Sequence, residues 1–360
     1  MSPLTVLNVA YPLAPVGHDA VGGAEQVLHA IDCALVEAGH RSVVVACEGS
    51  RTAGRLICTP APGGTLDSRA RIGAIEQHRL AVHDALRRWS IDVVHLHGHD
   101  FDAYLPPEGP AVLATIHLPP ELLLARIDRI GRPHTWLHGV SQTQHRRLAH
   151  VPHLLPPIEN GVVIDSLPRA TSRGTFALML SRVCPEKGTH LALEAAQRAH
   201  MPLLVGGMVF PYGEHQRYFE TEVLPRISRE RRFVGPLSMH AKRRLLCAAR
   251  CLLVPSLIEE TSSLAAMEAL ACGTPVIAFA AGALPEIVDH GVTGFIVRDV
   301  EEMAVAMCRI DRIDPDACRE VARRRFSAER MCRRYIERYE QIRSWSQTSA
   351  HQIEAYASPA

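Results

Sequence analysis

Two carboxylates, Glu260 and Glu268, flank a run of small and apolar residues in "EETSSLAAMEALACGTPVIA" (Glu259–Ala278). Ser262 or Ser263 can cap a helix there, Gly273 suits its C-terminal end, and Pro275 opens a following strand. Glu260 then stands just before the helix and Glu268 within its apolar body. A helix N-terminus offers unpaired N–H groups and the positive end of a dipole, which suits a phosphate, and carboxylates beside it can hold sugar hydroxyls. A solvated loop glutamate plus a surface-facing helix glutamate is the plainer reading. A second stretch, "LSRVCPEKGTHLALEAA" (Leu180–Ala196), puts Arg182 and Lys187 in a turn between a strand and a helix. Cations at such a turn can neutralise a diphosphate leaving group; the plainer reading is an ordinary basic turn. A third, "AVGGAEQVLHA" (Ala20–Ala30), pairs Gly22 with Gly23, which permits close backbone approach to a ligand or serves a tight turn. It is not the G-x-G-x-x-G fingerprint of dinucleotide binding. Lastly, His95, His97 and His99 alternate in "DVVHLHGHD" and His117 closes "ATIH". Alternate residues of an extended segment share a face, so the trio invites a metal reading. No second cluster completes it. His117 sits where a cleft-facing polar residue or a satisfied structural histidine is expected.

The elements that must position these residues are short apolar runs alternating with helical patterns. Strands are expected at Thr5–Ala10, Arg41–Ala46, Val93–Leu96, Val112–Ile116, Phe176–Leu180, Leu203–Val205, Cys251–Pro255 and Pro275–Phe279. Helices are expected at Ala24–Ala38, His190–Ala199 and Lys242–Ala249. Apolar strands alternating with helices imply parallel sheets covered on both faces. A Pro-, Gly- and Ser-rich stretch, Val151–Gly174, separates two such series, with the boundary expected near residues 165–172. The fold class is therefore α/β with two doubly wound domains facing a central cleft. Ligands of such sheets bind at the carboxyl ends of the strands.

The chain has 360 residues, too many for one ordinary core, and its net charge of +1 gives no electrostatic case for nucleic acid. Ten cysteines without a Cys-x-x-Cys pair read as reduced thiols of a cytoplasmic protein. The N-terminus lacks the basic region of a signal peptide, and no apolar run is long enough for a membrane span. In "PPELLLARIDRIGR" (Pro119–Arg132) leucines and isoleucines alternate with arginines. The pattern is that of a core-facing helix with a solvated basic face, or of an amphipathic helix making weak peripheral contact with an anionic membrane.

Taken together, in this order and spacing, the motifs resemble the retaining glycosyltransferases of family 4, which have the GT-B fold of two Rossmann-like domains. Glu260 and Glu268 match that family's E-x7-E motif, "SRVCPEKG" its diphosphate loop, "GGAE" its glycine loop and Thr115-Ile116-His117 its T-x-H strand end. "IENGVVID" (Ile158–Asp165) resembles its linker and "FSAERMCRRYIERYEQI" (Phe326–Ile342) its last helix. The resemblance implies an acceptor-side domain over 1–168, a nucleotide-sugar-binding domain over 169–325, a helix over 326–345 crossing back to the first domain, and a tail over 346–360. It implies transfer of a hexosyl group from a UDP-sugar or GDP-sugar to a hydroxyl of a saccharide, lipid-linked or small-molecule acceptor, with anomeric retention. Arg182 and Lys187 would hold the diphosphate, Glu268 the ribose, Glu260 the donor sugar, and main chain at Val234 and Gly235 the base. Gly22 and Gly23 would approach the phosphate and His117 the transferring sugar. Thr261, Ser262, Ser263 and Leu264 complete the donor set; the first three replace the family's usual Gly-Phe-Gly, which removes backbone freedom beside the donor sugar. No cofactor and no catalytic metal are implied, the cations and the helix end supplying the positive potential instead. A sugar-nucleotide epimerase of the same fold and a sugar-nucleotide-binding protein without turnover are the alternatives.

Overall fold

A computed structural model describes residues 2–61, 67–164 and 173–357. The chain divides into two units, Met1–Glu159 with Glu329–Ala360, and Asn160–Ala328. The boundary expected at 165–172 lies outside the described residues, as does Asp165 of the linker motif.

The first unit is built on a seven-stranded sheet: β1 (Thr5–Val9), β2 (Arg41–Cys47), β3 (Arg55–Thr59), β4 (Val93–Leu96), β5 (Ala111–Ile116), β6 (Thr135–Gly139) and β7 (Leu154–Leu155). The strands are all parallel, in the order β3-β2-β1-β4-β5-β6-β7. The second unit carries β8 (Ala177–Leu180), β9 (Leu203–Gly206), β10 (Arg231–Gly235), β11 (Cys251–Val254), β12 (Val276–Phe279) and β13 (Gly294–Val297). These are again parallel, in the order β10-β9-β8-β11-β12-β13. Strands β1, β4, β5 and β12 are buried along their whole length, and β11 nearly so, because helices cover both sides of a parallel sheet. In each sheet the order reverses once, between β1 and β4 and between β8 and β11. These switch points open a crevice at the carboxyl ends of the strands.

Five strands were not expected. β3, β6, β10 and β13 mix charged, glycine or aromatic residues into their runs, and β7 is only two residues long. The last helix runs unbroken from Ala328 to Ala357, so residues 346–357, expected as part of a tail, are helical. Residues 119–132 do not form one helix. A 3-10 turn at Pro120–Leu122 and a single turn at Leu124–Ile127 replace it, started by the Pro119-Pro120 pair. Leu123 and Ile127 enter the core. Arg126 bonds the His99 carbonyl and faces Asp102, and Arg132 bonds the carbonyls of Pro106 and Pro110. The basic residues are thus partly spent on the protein's own loops. Among the described residues no helix is long and apolar enough to cross a membrane.

Candidate functional site

The loops leaving β8 and β11 carry Arg182, Lys187 and Glu260, and the helix after the second loop carries Glu268. Beyond β8, Pro185–Lys187 forms one 3-10 turn that Gly188 ends in the left-handed region, at φ 65°. A side chain there would be strained, and an added Cβ would lie 2.1 Å from the Pro255 carbonyl oxygen. Glycine thus lets this turn press against the segment following β11, where Leu257 N–H donates to the Glu186 carbonyl. The result brings Lys187 Nζ to 2.5 Å from Glu260 Oε1, with both side chains largely buried. Glu260 is therefore not a solvated loop residue. Its carbonyl is pinned in turn by the Ala283 N–H at 2.7 Å. Arg182 stays exposed, its guanidinium 3.9 Å from Glu186.

Ser263 is the cap of the helix Leu264–Cys272: its hydroxyl accepts from Ala266 N–H, and Gly273 ends the helix in the left-handed region. Apolar burial on nearly all sides holds this helix, and Glu268 is buried with it at 6% exposure. A buried carboxylate requires a partner. Lys242, from the helix Met239–Ala248, supplies it at 2.6 Å. Lys242 was not foreseen, although the cap Ser238 places it one turn into a helix and so marked its position. Ser262 Oγ is buried without a hydrogen-bond partner, and Thr261 and Leu264 flank it half-buried. At the sheet edge, the β9–β10 register shifts between Phe233 and Gly235, leaving Val234 at a bulge with 39% exposure and Gly235 at φ 72° beside open space.

In the first unit, Gly22 caps and Gly23 begins the helix Gly23–Glu37. Gly22 has an ordinary φ of −85°, so a left-handed turn is not why glycine is needed. A Cβ there would lie 1.9 Å from Glu25 Oε2. The glycine makes room for the Glu25 carboxyl, whose burial raises its pKa. Glu25 closes the "GGAE" motif, and the sequence alone assigns it no role.

The histidines do not form the metal trio. His99 turns away to stack on Tyr11, with centroids 4.2 Å apart. His95 is fully buried, with Nδ1 2.7 Å from Tyr339 Oη and Nε2 2.7 Å from Thr115 Oγ1. Neither nitrogen is left for a metal. The proton positions follow by elimination. His138 Nδ1 faces the Gly139 carbonyl at 2.9 Å, so it donates, and Nε2 of the neutral ring accepts from Thr115 Oγ1 at 2.7 Å. Thr115, its one proton used, accepts from His95 Nε2–H. His95 Nδ1 then accepts from Tyr339. The chain Tyr339→His95→Thr115→His138→Gly139 is directional and complete with both imidazoles neutral. Burial holds His138 down to about 3 and His95 well below the usual histidine range. Next to it, His97 Nδ1 lies 3.4 Å from His117 Nε2, the rings stacked at 5.6 Å. His97 Nε2 is buried without a hydrogen-bond partner.

Thr115→Val keeps the shape of the hub and removes its hydroxyl. His138 then loses its donor and His95 its acceptor, each loss costing about 1–3 kcal/mol. The variant is expected to be about 2–5 kcal/mol less stable in urea unfolding; a change below about 1 kcal/mol would deny the network any part in stability.

Among the described residues one group of side chains has metal-ligand spacing: Cys184, Glu186 and His215, with ligand atoms all within 4.8 Å of one another. No metal site was expected in this stretch of sequence.

Two family models match the chain. One, described as Glycosyltransferase Family 4, covers residues 21–162; the other, Glycosyl transferases group 1, covers residues 175–311. A D-inositol 3-phosphate glycosyltransferase of Mycolicibacterium paratuberculosis is 33% identical over 153 residues, 40% of this chain and 34% of that protein. The chain thus spans about a third of the length of the curated relatives it matches. Among solved structures, the sucrose-phosphate synthase of Thermosynechococcus elongatus superposes with a TM-score of 0.79 at 19% identity, over 94% of this chain and 99% of that one. Anabaena HepE, solved in complex with UDP-glucose, does so with a TM-score of 0.73 at 16% identity, over 94% of this chain and all of that one. These likenesses show the shared fold, the GT-B arrangement of parallel-sheet α/β domains.

Proposed function

Because the chain belongs to the family-4 glycosyltransferases, we propose that it transfers a hexosyl group from a nucleoside-diphosphate sugar to a hydroxyl acceptor, with retention at the anomeric carbon. The observation that carries this reading is the Lys187–Glu260 pair at the β8/β11 switch point. A cation fit for a leaving diphosphate and a carboxylate fit for sugar hydroxyls are held within one hydrogen bond of each other. An ammonium has three donors, so Lys187 can keep Glu260 and still meet a phosphate oxygen. Arg182 adds a second, exposed cation on the same loop.

We assign Glu268 to the donor ribose, main chain at Val234 and Gly235 to the base, and Thr261, Ser262 and Leu264 to the neighbourhood of the donor sugar. Ser263 keeps its capping role. In the first unit, Gly22 and Gly23 at the start of the helix after β1 and His117 at the end of β5 are assigned to substrate groups, with His97 holding the His117 ring. In the proposed reaction the bond from the anomeric carbon to the phosphate oxygen breaks. The acceptor oxygen bonds that carbon from the same face, and its proton passes to the departing phosphate. No protein nucleophile is required.

Glu268→Gln is expected to raise the donor KM about tenfold or more while leaving kcat within about threefold, because ribose contacts are alike in the ground and transition states. An unchanged KM with a collapsed kcat would move Glu268 to the reacting centre. The reading as a whole is tested by incubating UDP- and GDP-hexoses with and without a pool of hydroxyl acceptors. A new glycoside of unchanged anomeric configuration supports it. An isomerised sugar would make the protein an epimerase, and binding without any product would make it a non-catalytic binder.

A further inference from the structure

We propose that Cys184, Glu186 and His215 form a binding site for a thiophilic divalent cation of the zinc class. Cys184 and Glu186 lie in the turn beyond β8, and His215 begins the next loop's helix beyond β9, so two neighbouring strands deliver the three side chains. Their ligand atoms lie within 4.8 Å of one another. A tetrahedral ion with bonds of about 2.0–2.3 Å needs ligand separations of about 3.3–3.8 Å, so closure by roughly 1 Å suffices. Thiolate, imidazole and carboxylate together are the donor set that zinc takes and that magnesium and calcium do not.

Two further observations point to a ligand. His215 is 8% exposed and its Nδ1 is buried with no hydrogen-bond partner, an expensive state for an imidazole. Cys184 is fully buried and forms no disulfide; its thiol makes one long hydrogen bond, to the Arg182 carbonyl at 3.8 Å, and its sulfur lies within 4.8 Å of a Glu186 carboxylate oxygen. Glu186 is partly exposed and gives the ion a way in. On binding, the Cys184 S–H bond breaks, its proton leaves to solvent, and the sulfur, the carboxylate and a ring nitrogen bond the ion. A water can take the fourth position, as in zinc sites with three protein ligands. The site is independent of the transfer reading: it would stand if the protein transferred nothing.

The full chain, reduced and stripped with a chelator, is titrated with Co²⁺ and then Zn²⁺. The exposed Cys58 and Cys308 are first replaced by serine so that they cannot report. The expected result is one Co²⁺ per chain with a thiolate-to-cobalt charge-transfer band, bleached by stoichiometric Zn²⁺. Cys184→Ser should abolish the band, and Glu186→Gln, which keeps the side chain's shape, should weaken binding at least about tenfold. Circular dichroism and metal-free melting establish that each variant folds; if Cys184→Ser does not, Cys184→Ala and the Glu186→Gln titration decide. No band in the parent, or a band that survives removal of Cys184, would overturn the site.

Discussion

Lys187→Ala is expected to lower kcat/KM by about 10²–10³, the usual loss when one preorganised charge contact to a developing anion is removed. Two effects add. The leaving diphosphate loses a cation, and Glu260, only 12% exposed at its side chain, is left as an unpaired carboxylate beside it. An uncompensated negative charge repels the phosphate that Lys187 formerly drew in. Lys187→Arg should restore part of the loss, since the charge returns without the ammonium's compact geometry. Melting temperatures separate catalysis from folding. The drop should appear in a variant that still melts cooperatively near the parent temperature. Turnover within about threefold of wild type would remove Lys187 from the reaction.

The second large effect is on stability against acid. His78, His95, His97 and His138 are buried in the first unit. Desolvation lowers the pKa of each: His78 to about 4, His138 to about 3, His95 and His97 well below the ordinary value. In the unfolded chain they titrate near 6.5. The stabilisation from keeping them neutral is complete above that pH. It is lost as the pH falls, because the unfolded state binds protons that the folded state refuses. Each such histidine costs about 1.4 kcal/mol per pH unit over that window. Two of the four suffice to remove about 5 kcal/mol between pH 6.5 and 4.5, comparable with the whole stability of many domains. Calorimetry is expected to show one transition, assigned to the first unit, moving sharply to lower temperature between pH 6.5 and 5. A melting profile unchanged over that range would show that these rings take up protons without opening the structure.

Glu259–Ala278 and Leu180–Ala196 are the most legible stretches of the sequence. Glu260, Lys187 and the capped helix around Glu268 could be placed because strand, turn and helix follow within twenty residues. What sequence could not show is who pairs with whom across long separations. Glu268 reads alone as a surface carboxylate, and only the fold brings Lys242 to it. The His95–His97–His99 alternation looked like a metal cluster because the period of a strand was extended past Leu96, where β4 ends. The true partners, Thr115, Tyr339 and His117, come from a neighbouring strand and from the last helix. Arg55–Thr59 and Gly294–Val297, each at the edge of its sheet, hold apolar runs of only three residues, too short to stand out. The amphipathic pattern at 119–132 was real, but two prolines at its start and partners for its arginines broke it into turns. Cys184 and Glu186 do not read as a group with His215, since a helix, a strand and a loop separate them.

From Glu329 onward the last helix belongs to the unit that contains β1, and the whole of Asn160–Ala328 is spelled out in between. For a chain made from its N-terminus, this sets an order of events. The first sheet can assemble early, but His95 must wait for a hydroxyl that lies 244 residues further along. At synthesis rates of about 5–20 residues per second, that interval is roughly 10–50 s. During it the nascent sheet lacks Tyr335 and Tyr339, two of its largest buried side chains. The second unit has no such debt. Its ends meet where Val162 and Ser327 pair as a β-bridge, so it can close as soon as its last residue emerges. The part of the molecule begun first is the part finished last, and its half-made state is the one most exposed to chaperones and proteases.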